Sequence, residues 1–208
     1  MDITLVIGNK NFSTWSLRAW LALRATGATF KEEFVALRTP QSKQEILRYS
    51  PSGQVPALKL GQHVVWDSLA IAEALAEMFP DACLWPADIF ARAHARSICA
   101  EMHSGFAALR RNHPMDMKAR TPLAPDTEVA PQVERIQQLW QEALSFSGRG
   151  NGPFLYGEFG IADAFYAPVI SRFVTYGIPV TAASQRYMEA MWNHPHFMAW
   201  YDAALQEG

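Results

Sequence analysis

The chain has 208 residues, half of them hydrophobic and 18% charged, with a formal net charge of −2. That is enough apolar material for one large domain or two modest ones, and the near balance of charge excludes the basic face that nucleic acid or an anionic membrane requires. Two cysteines, Cys83 and Cys99, form no C-x-x-C and no disulfide framework, no secretory leader is visible, and no apolar run approaches the ~18 residues of a spanning helix. The expected setting is therefore a reducing cytoplasm, with each cysteine a small buried hydrophobe.

The first 80 residues alternate in type. "ITLVIG" (3–8) reads as a buried strand. "STWSLRAWLALRATG" (13–27) reads as a helix, with Ser13 at its N-cap, apolar faces from Leu17, Trp20, Leu21 and Leu23, and Gly27 as its stop. "FKEEFVAL" (30–37) alternates like a half-exposed strand, and "QSKQEILRYS" (41–50) is a short polar helix closed by Pro51. "VPALKL" and "VVW" flank Gly61-Gln62-His63 as a hairpin, and "SLAIAEALAEMF" (68–79) is a helix rich in alanine and leucine. The order β-α-β-α-β-β-α makes a compact α/β domain with helices on its sheet.

After "FPDACLWPAD" (79–88) the texture becomes helical throughout. Helices are expected over about 89–112, 129–147, 161–176 and 184–205, with a proline-interrupted loop over 110–127. Residues 1–80 and 89–208 thus read as an α/β domain and an all-α domain, joined by a linker over 81–88. "NHPHF" (193–197) sets His194 and His196 two apart with no third ligand, so no metal is expected. Tyr187, Met191, Phe197, Trp200 and Tyr201 read as core packing.

Three pieces of the first domain converge in this topology: Ser13 and Ser16 at the first strand–helix junction, Val55-Pro56 before the third strand, and Asp67-Ser68 before the last helix. Loops at strand ends are where α/β sheets place ligands. Pro56 breaks the strand pattern of "SGQVPALKL", because proline donates nothing to a ladder. Asp67 and Ser68 suit a helix cap as well as a ligand.

Those pieces in this order resemble the glutathione transferases over nearly the whole chain, and "NFSTWSLRAWLAL" resembles the serine-type first motif of the zeta-like and related bacterial members. The resemblance implies a thioredoxin-like domain followed by an all-helical domain, glutathione as co-substrate, no metal, an electrophilic small molecule as second substrate, and a homodimer. It implies a cis bond at Pro56, leaving the Val55 N–H and C=O to pair with the glutathione backbone, with Gln54 as a further contact. Ser68 and the free N–H groups of its helix would receive the γ-glutamyl carboxylate, and Asp67 the ammonium. Ser13 aligns with the serine that holds the thiolate, and Ser16 is the second candidate. Trp15 stands where the isomerising members carry cysteine, so that activity is not carried over. Arg18 matches a family arginine and is expected to form a surface or interdomain ion pair. Trp15, Met102, His103, Phe106 and Arg110 are candidates for the electrophile pocket, and Glu101 for reaching a neighbouring subunit's ligand. In "GEFGIADAFYAP" (157–168) Gly160 occupies the cap position that the family fills with Ser or Thr, and Asp163 can reach back to its N–H. The function implied is addition of the glutathione thiolate to an electrophile; the alternative is a non-catalytic interaction module on the same fold.

Overall fold

The computed structural model describes residues 2–207. Among these, β1 (Ile3–Ile7), β2 (Lys31–Phe34), β3 (Ala57–Leu60) and β4 (His63–Trp66) form one sheet in the order β2-β1-β3-β4. β1 is parallel to β2, pairing Thr4 with Lys31 and Ile7 with Phe34, and antiparallel to β3, pairing Ile3 with Leu60 and Val6 with Ala57. A parallel pair needs a crossover, which α1 (Thr14–Ala25) supplies. Alternation along β1 divides its side chains between two faces. Ile3, Leu5 and Ile7 join the main core with α1 and α3 (Ser68–Met78), while Val6 joins Val35, Ala57 and Ile46, the last carried by α2 (Ser42–Leu47).

β2 is shorter than its alternation suggests. Val35 still donates to Ile7 O at 2.9 Å, but the Leu37 N–H turns to the Asn9 side chain at 2.8 Å, and Arg38 adopts a left-handed φ of 62°. A side chain thus takes over from the ladder at the mouth of the β1–α1 turn.

The remaining elements are α4 (Ile89–Ser104), α5 (Ala107–Asn112), α6 (Ala130–Leu144), α7 (Ile161–Tyr176), α8 (Ala182–Trp192) and α9 (Pro195–Gln206). The single helices expected over 89–112 and 184–205 are each broken in two. At Gly105 the chain leaves α4 so close to the Glu101 carbonyl that a Cβ would lie 2.7 Å from it, and Phe106 follows at φ 57°. At the second break Pro195 has no N–H and pushes His194 into an extended conformation, which starts a new helix.

α7 is buried on nearly every side and packs against both α1 and α4. Its N-cap is a glycine for a visible reason: the Ile161 N–H donates to Leu84 O at 3.0 Å, and a Cβ on Gly160 would sit 2.7 Å from that same oxygen. Asp163 takes over the capping, accepting the Gly160 N–H at 2.9 Å and the Leu155 N–H at 3.1 Å. Glu101 pairs with Arg135 of its own chain, at 2.9 and 3.0 Å. Two expectations are corrected here. Cys83 is exposed, whereas Cys99 is buried. Arg18, expected in an ion pair, is fully buried, and its guanidinium nitrogens have no hydrogen-bond partner among the described residues.

Candidate active site

The β1–α1 turn carries the first functional group. Asn9 O accepts the Ser13 N–H at 2.8 Å, placing Ser13 at the head of α1. Its hydroxyl does not cap the helix; it donates to Ser16 Oγ at 2.8 Å, and Ser16 Oγ also accepts the Gly8 N–H at 3.0 Å. Among the described residues no side chain caps the first turn of α1, so the positive end of the helix dipole is left at Ser13. The two serines are not equivalent. Ser13 lines an open cleft, whereas Ser16 is fully buried behind it and forms no part of the wall.

The second group is main chain. Val55–Pro56 is cis, and the first paired residue of β3 is Ala57. The Val55 N–H and C=O have no backbone partner among the described residues. At the third position Asp67 adopts φ 74° and caps α3, one carboxylate oxygen accepting Leu69 N–H at 2.8 Å and Ala70 N–H at 3.3 Å. Its other oxygen lies 3.2 Å from His103 Nε2 across the interface between the sheet and the helices. Burial lowers the His103 pKa, and Arg18 and Arg110 add to the effect, while Asp67 opposes it. Ser68 is buried, and its hydroxyl has no partner among the described residues. A buried hydroxyl without a partner costs free energy unless a ligand completes it.

Ser13, Gln54, Val55, Pro56, Asp67 and Ser68 all face one cleft of about 690 Å³ between the sheet and the helical half. Of the candidates for the far wall, Trp15, His103 and Arg110 line it. Met102 and Phe106 do not: both are buried in the core, because α4 turns Met102 inward and the break at Gly105 redirects Phe106. Trp15 forms a hub, with the Arg18 guanidinium 4.5 Å and that of Arg110 4.9 Å from its ring, and His103 edge-on at 5.1 Å.

Two features had no sequence signal. Arg172, in the middle of apolar α7, lines the cleft although only 3% exposed; its Nε donates to His113 O at 2.9 Å and its Nη1 to Pro168 O at 3.0 Å. Glu207 braces the β1–α1 turn from the far end of the chain, accepting Lys10 N–H at 2.5 Å and Asn11 N–H at 3.1 Å. Neither contact is foreshadowed by spacing, since one is 197 positions long and the other joins a helix interior to a loop.

Similarity to known proteins falls on the same regions. The model for the glutathione S-transferase N-terminal domain matches residues 12–78, and that for the C-terminal domain matches residues 127–203. A zeta-class glutathione S-transferase from Euphorbia esula is 31% identical over 168 residues, which is 78% of this chain and 73% of that protein. A probable maleylacetoacetate isomerase from Caenorhabditis elegans is 35% identical over 100 residues, a match spanning 48% of this chain and less than half, 46%, of the nematode protein. A glutathione transferase homolog from a Burkholderia, crystallised with bound glutathione, superposes with a TM-score of 0.75 at 26% identity, covering 100% of both chains.

Proposed function

The chain belongs to the glutathione transferase family, and we propose that it binds glutathione in this cleft, holds its thiol as the thiolate beside Ser13, and adds it to an electrophilic small molecule. The observation that carries the reading is the convergence, on one wall, of a cleft-facing hydroxyl on a helix N-terminus, an unpaired main-chain N–H and C=O, and a buried hydroxyl lacking a partner. In this reading Val55 pairs with the cysteinyl backbone, and Ser68 with the free N–H groups of α3 receives the γ-glutamyl carboxylate. Asp67, oriented by its cap bonds and by His103, takes the ammonium. Residues 1–80 form the glutathione half, 81–88 a linker, and 89–208 the half that receives the electrophile.

Glutathione supplies the sulfur nucleophile; the chain ionises and aims it. A thiol with a pKa of ~8.5 is only a few per cent ionised at neutral pH, and lowering that value by ~2 units corresponds to ~2.7 kcal/mol. One hydrogen bond to a charged acceptor contributes about 1.5–3 kcal/mol. Ser13 suffices if its proton turns from Ser16 to the sulfur. Ser16 can then donate to the vacated Ser13 oxygen, giving a chain from Gly8 N–H through both hydroxyls to the thiolate. Trp15 walls the pocket instead of supplying a thiol. The same reading includes a homodimer in the cytoplasm; Ile89 and Phe90, 63% and 73% exposed at the start of α4, offer apolar surface to a second copy.

The test compares wild type with Ser13→Ala for glutathione affinity by calorimetry and for the pKa of the bound thiol by thiolate absorbance. Retained binding with the thiol pKa raised by about 1–2 units is expected. An unchanged pKa removes Ser13 from the chemistry, and absence of glutathione binding to wild type ends the reading altogether.

A further inference from the structure

One oxygen of Asp67 is engaged by the head of α3; the other lies 3.2 Å from Nε2 of His103, on the last turn of α4. A carboxylate only accepts, so Nε2 carries the proton of a neutral ring. The second proton of an imidazolium would sit on Nδ1, which is buried and has no partner among the described residues. An N–H there would go unsatisfied, so the geometry favours the neutral ring.

The surroundings act in the same direction. Burial is the largest influence on the ring and opposes protonation; Asp67 at the head of α3 favours it, while Arg18 from α1 and Arg110 from α5 oppose it. The other charged neighbours of α4 are engaged elsewhere: Glu73 of α3 pairs with Arg96, and Arg135 of α6 with Glu101. From α7 the ring meets Phe165, 6.3 Å away, and from α1 the edge of Trp15. The pKa of His103 is thus held below the ordinary histidine value of ~6.5.

In the transferase reading, glutathione brings a second cation to the same carboxylate. Asp67 is the only carboxylate on the cleft wall among the described residues, and its side chain is 45% exposed. A neutral N–H can share that carboxylate with the γ-glutamyl ammonium. An imidazolium would neutralise the carboxylate and repel the ammonium. We propose that His103 is a positioning residue for the γ-glutamyl ammonium, admitting it only while the imidazole is uncharged, so that glutathione capture is linked to a proton on the helical half. This rests on the transferase reading and adds a control on its first substrate. By linkage, bound glutathione weakens proton binding at His103 by the factor that the proton weakens glutathione binding.

The test uses S-methylglutathione, which has no thiol to ionise, titrated by calorimetry into the enzyme from about pH 7.5 to pH 5. Its partner ligand is S-methylated glutaryl-cysteinylglycine, the same molecule with hydrogen in place of the ammonium. The wild-type association constant for S-methylglutathione should fall about three- to tenfold over that range. The ligand without the ammonium should bind more weakly and with no dependence on pH. At about pH 5.5, two buffers of different ionisation enthalpy should reveal net proton release when S-methylglutathione binds. His103→Gln keeps an N–H for Asp67 but takes up no second proton, and should bind S-methylglutathione equally at both ends of the range. His103→Leu fills the space without the N–H, and should bind more weakly than His103→Gln at pH 7.5.

A wild-type affinity that does not change with pH would overturn the inference while leaving the transferase intact. An equal fall in His103→Gln, or with the ligand lacking the ammonium, would do the same, since the titrating group or its target would then be another. The comparison of the two ligands on wild type decides even if neither variant folds. Failure to bind S-methylglutathione at any pH, together with failure to bind glutathione, would remove the transferase reading and this inference with it.

Discussion

Ser13 and Ser16 differ by three positions and by which side of the first helical turn each occupies. Both hydroxyls look available in "FSTWSL", and a cap paired with its N3 partner is the ordinary reading of that spacing. Tertiary burial separates them: one faces the cleft, the other is enclosed by it and holds Gly8. Ser16→Ala should therefore act on chemistry at one remove. The pKa of the bound thiol is expected to rise by about 0.5–1 unit, with Ser16→Thr restoring it. Thiolate absorbance read against pH would show this, and a folded Ser16→Ala enzyme with the wild-type titration would exclude the relay. Arg172 illustrates the opposite case. No local pattern marks a lone arginine in "VISRFV" as anything but a misfit in an apolar helix.

Element boundaries follow local rules until a close approach overrides them. β1, α1, α3 and α7 end where hydrophobic period and stop residues say they should, because their burial and their propensity agree. The breaks after Ser104 and Trp192 are set by Gly105 meeting a carbonyl and by Pro195, which periodicity averaged over a long window smooths away. At the head of α7, Asp163 replaces the missing cap hydroxyl, although burial raises its pKa to about 6. Asp163→Ala would leave two N–H groups unsatisfied and should destabilise the fold by about 2 kcal/mol, measured by urea denaturation; an unchanged midpoint would make the cap dispensable. At the head of α9, His194 stacks on Phe159 at 4.2 Å, and burial, aided by His196, lowers its pKa to about 4. The folded state then binds fewer protons than the unfolded one, so this contribution to stability is complete above about pH 6.5 and is lost as pH falls towards 4. His194→Phe keeps the stack and should flatten the fall of Tm over that window. Parallel melting curves from pH 7 to 4.5 for both proteins would contradict the assignment.

On the scale of the whole molecule, the helical half builds the β1–α1 turn as much as the sheet does. Trp200 Nε1 donates to Lys10 O at 2.9 Å, the Met117 N–H reaches Asn11 O at 3.1 Å, and Glu207 grips two N–H groups of the same turn. Glu207→Ala should lower kcat/KM for a generic aryl halide about three- to tenfold by loosening Ser13, with Tm shifted little, since displacement of a positioned group costs rate before it costs stability. Kinetics and a thermal melt on the same preparation would decide; wild-type kcat/KM would show that the turn holds itself.

The amino-acid order by itself determined the two-part architecture, the strand and helix sequence of the first 80 residues, and the segments that meet at the cleft. Each of those is encoded locally, in the period of apolar residues and in the punctuation of Gly61, Pro56 and Asp67. Which serine faces the cleft, which residues of α4 reach it, and that Arg110 and Arg172 line its helical side while Arg18 lies buried were decided only by tertiary packing. Those outcomes depend on how one helix turns against another, and a contact between Lys10 and Glu207 leaves no trace in the residues around either.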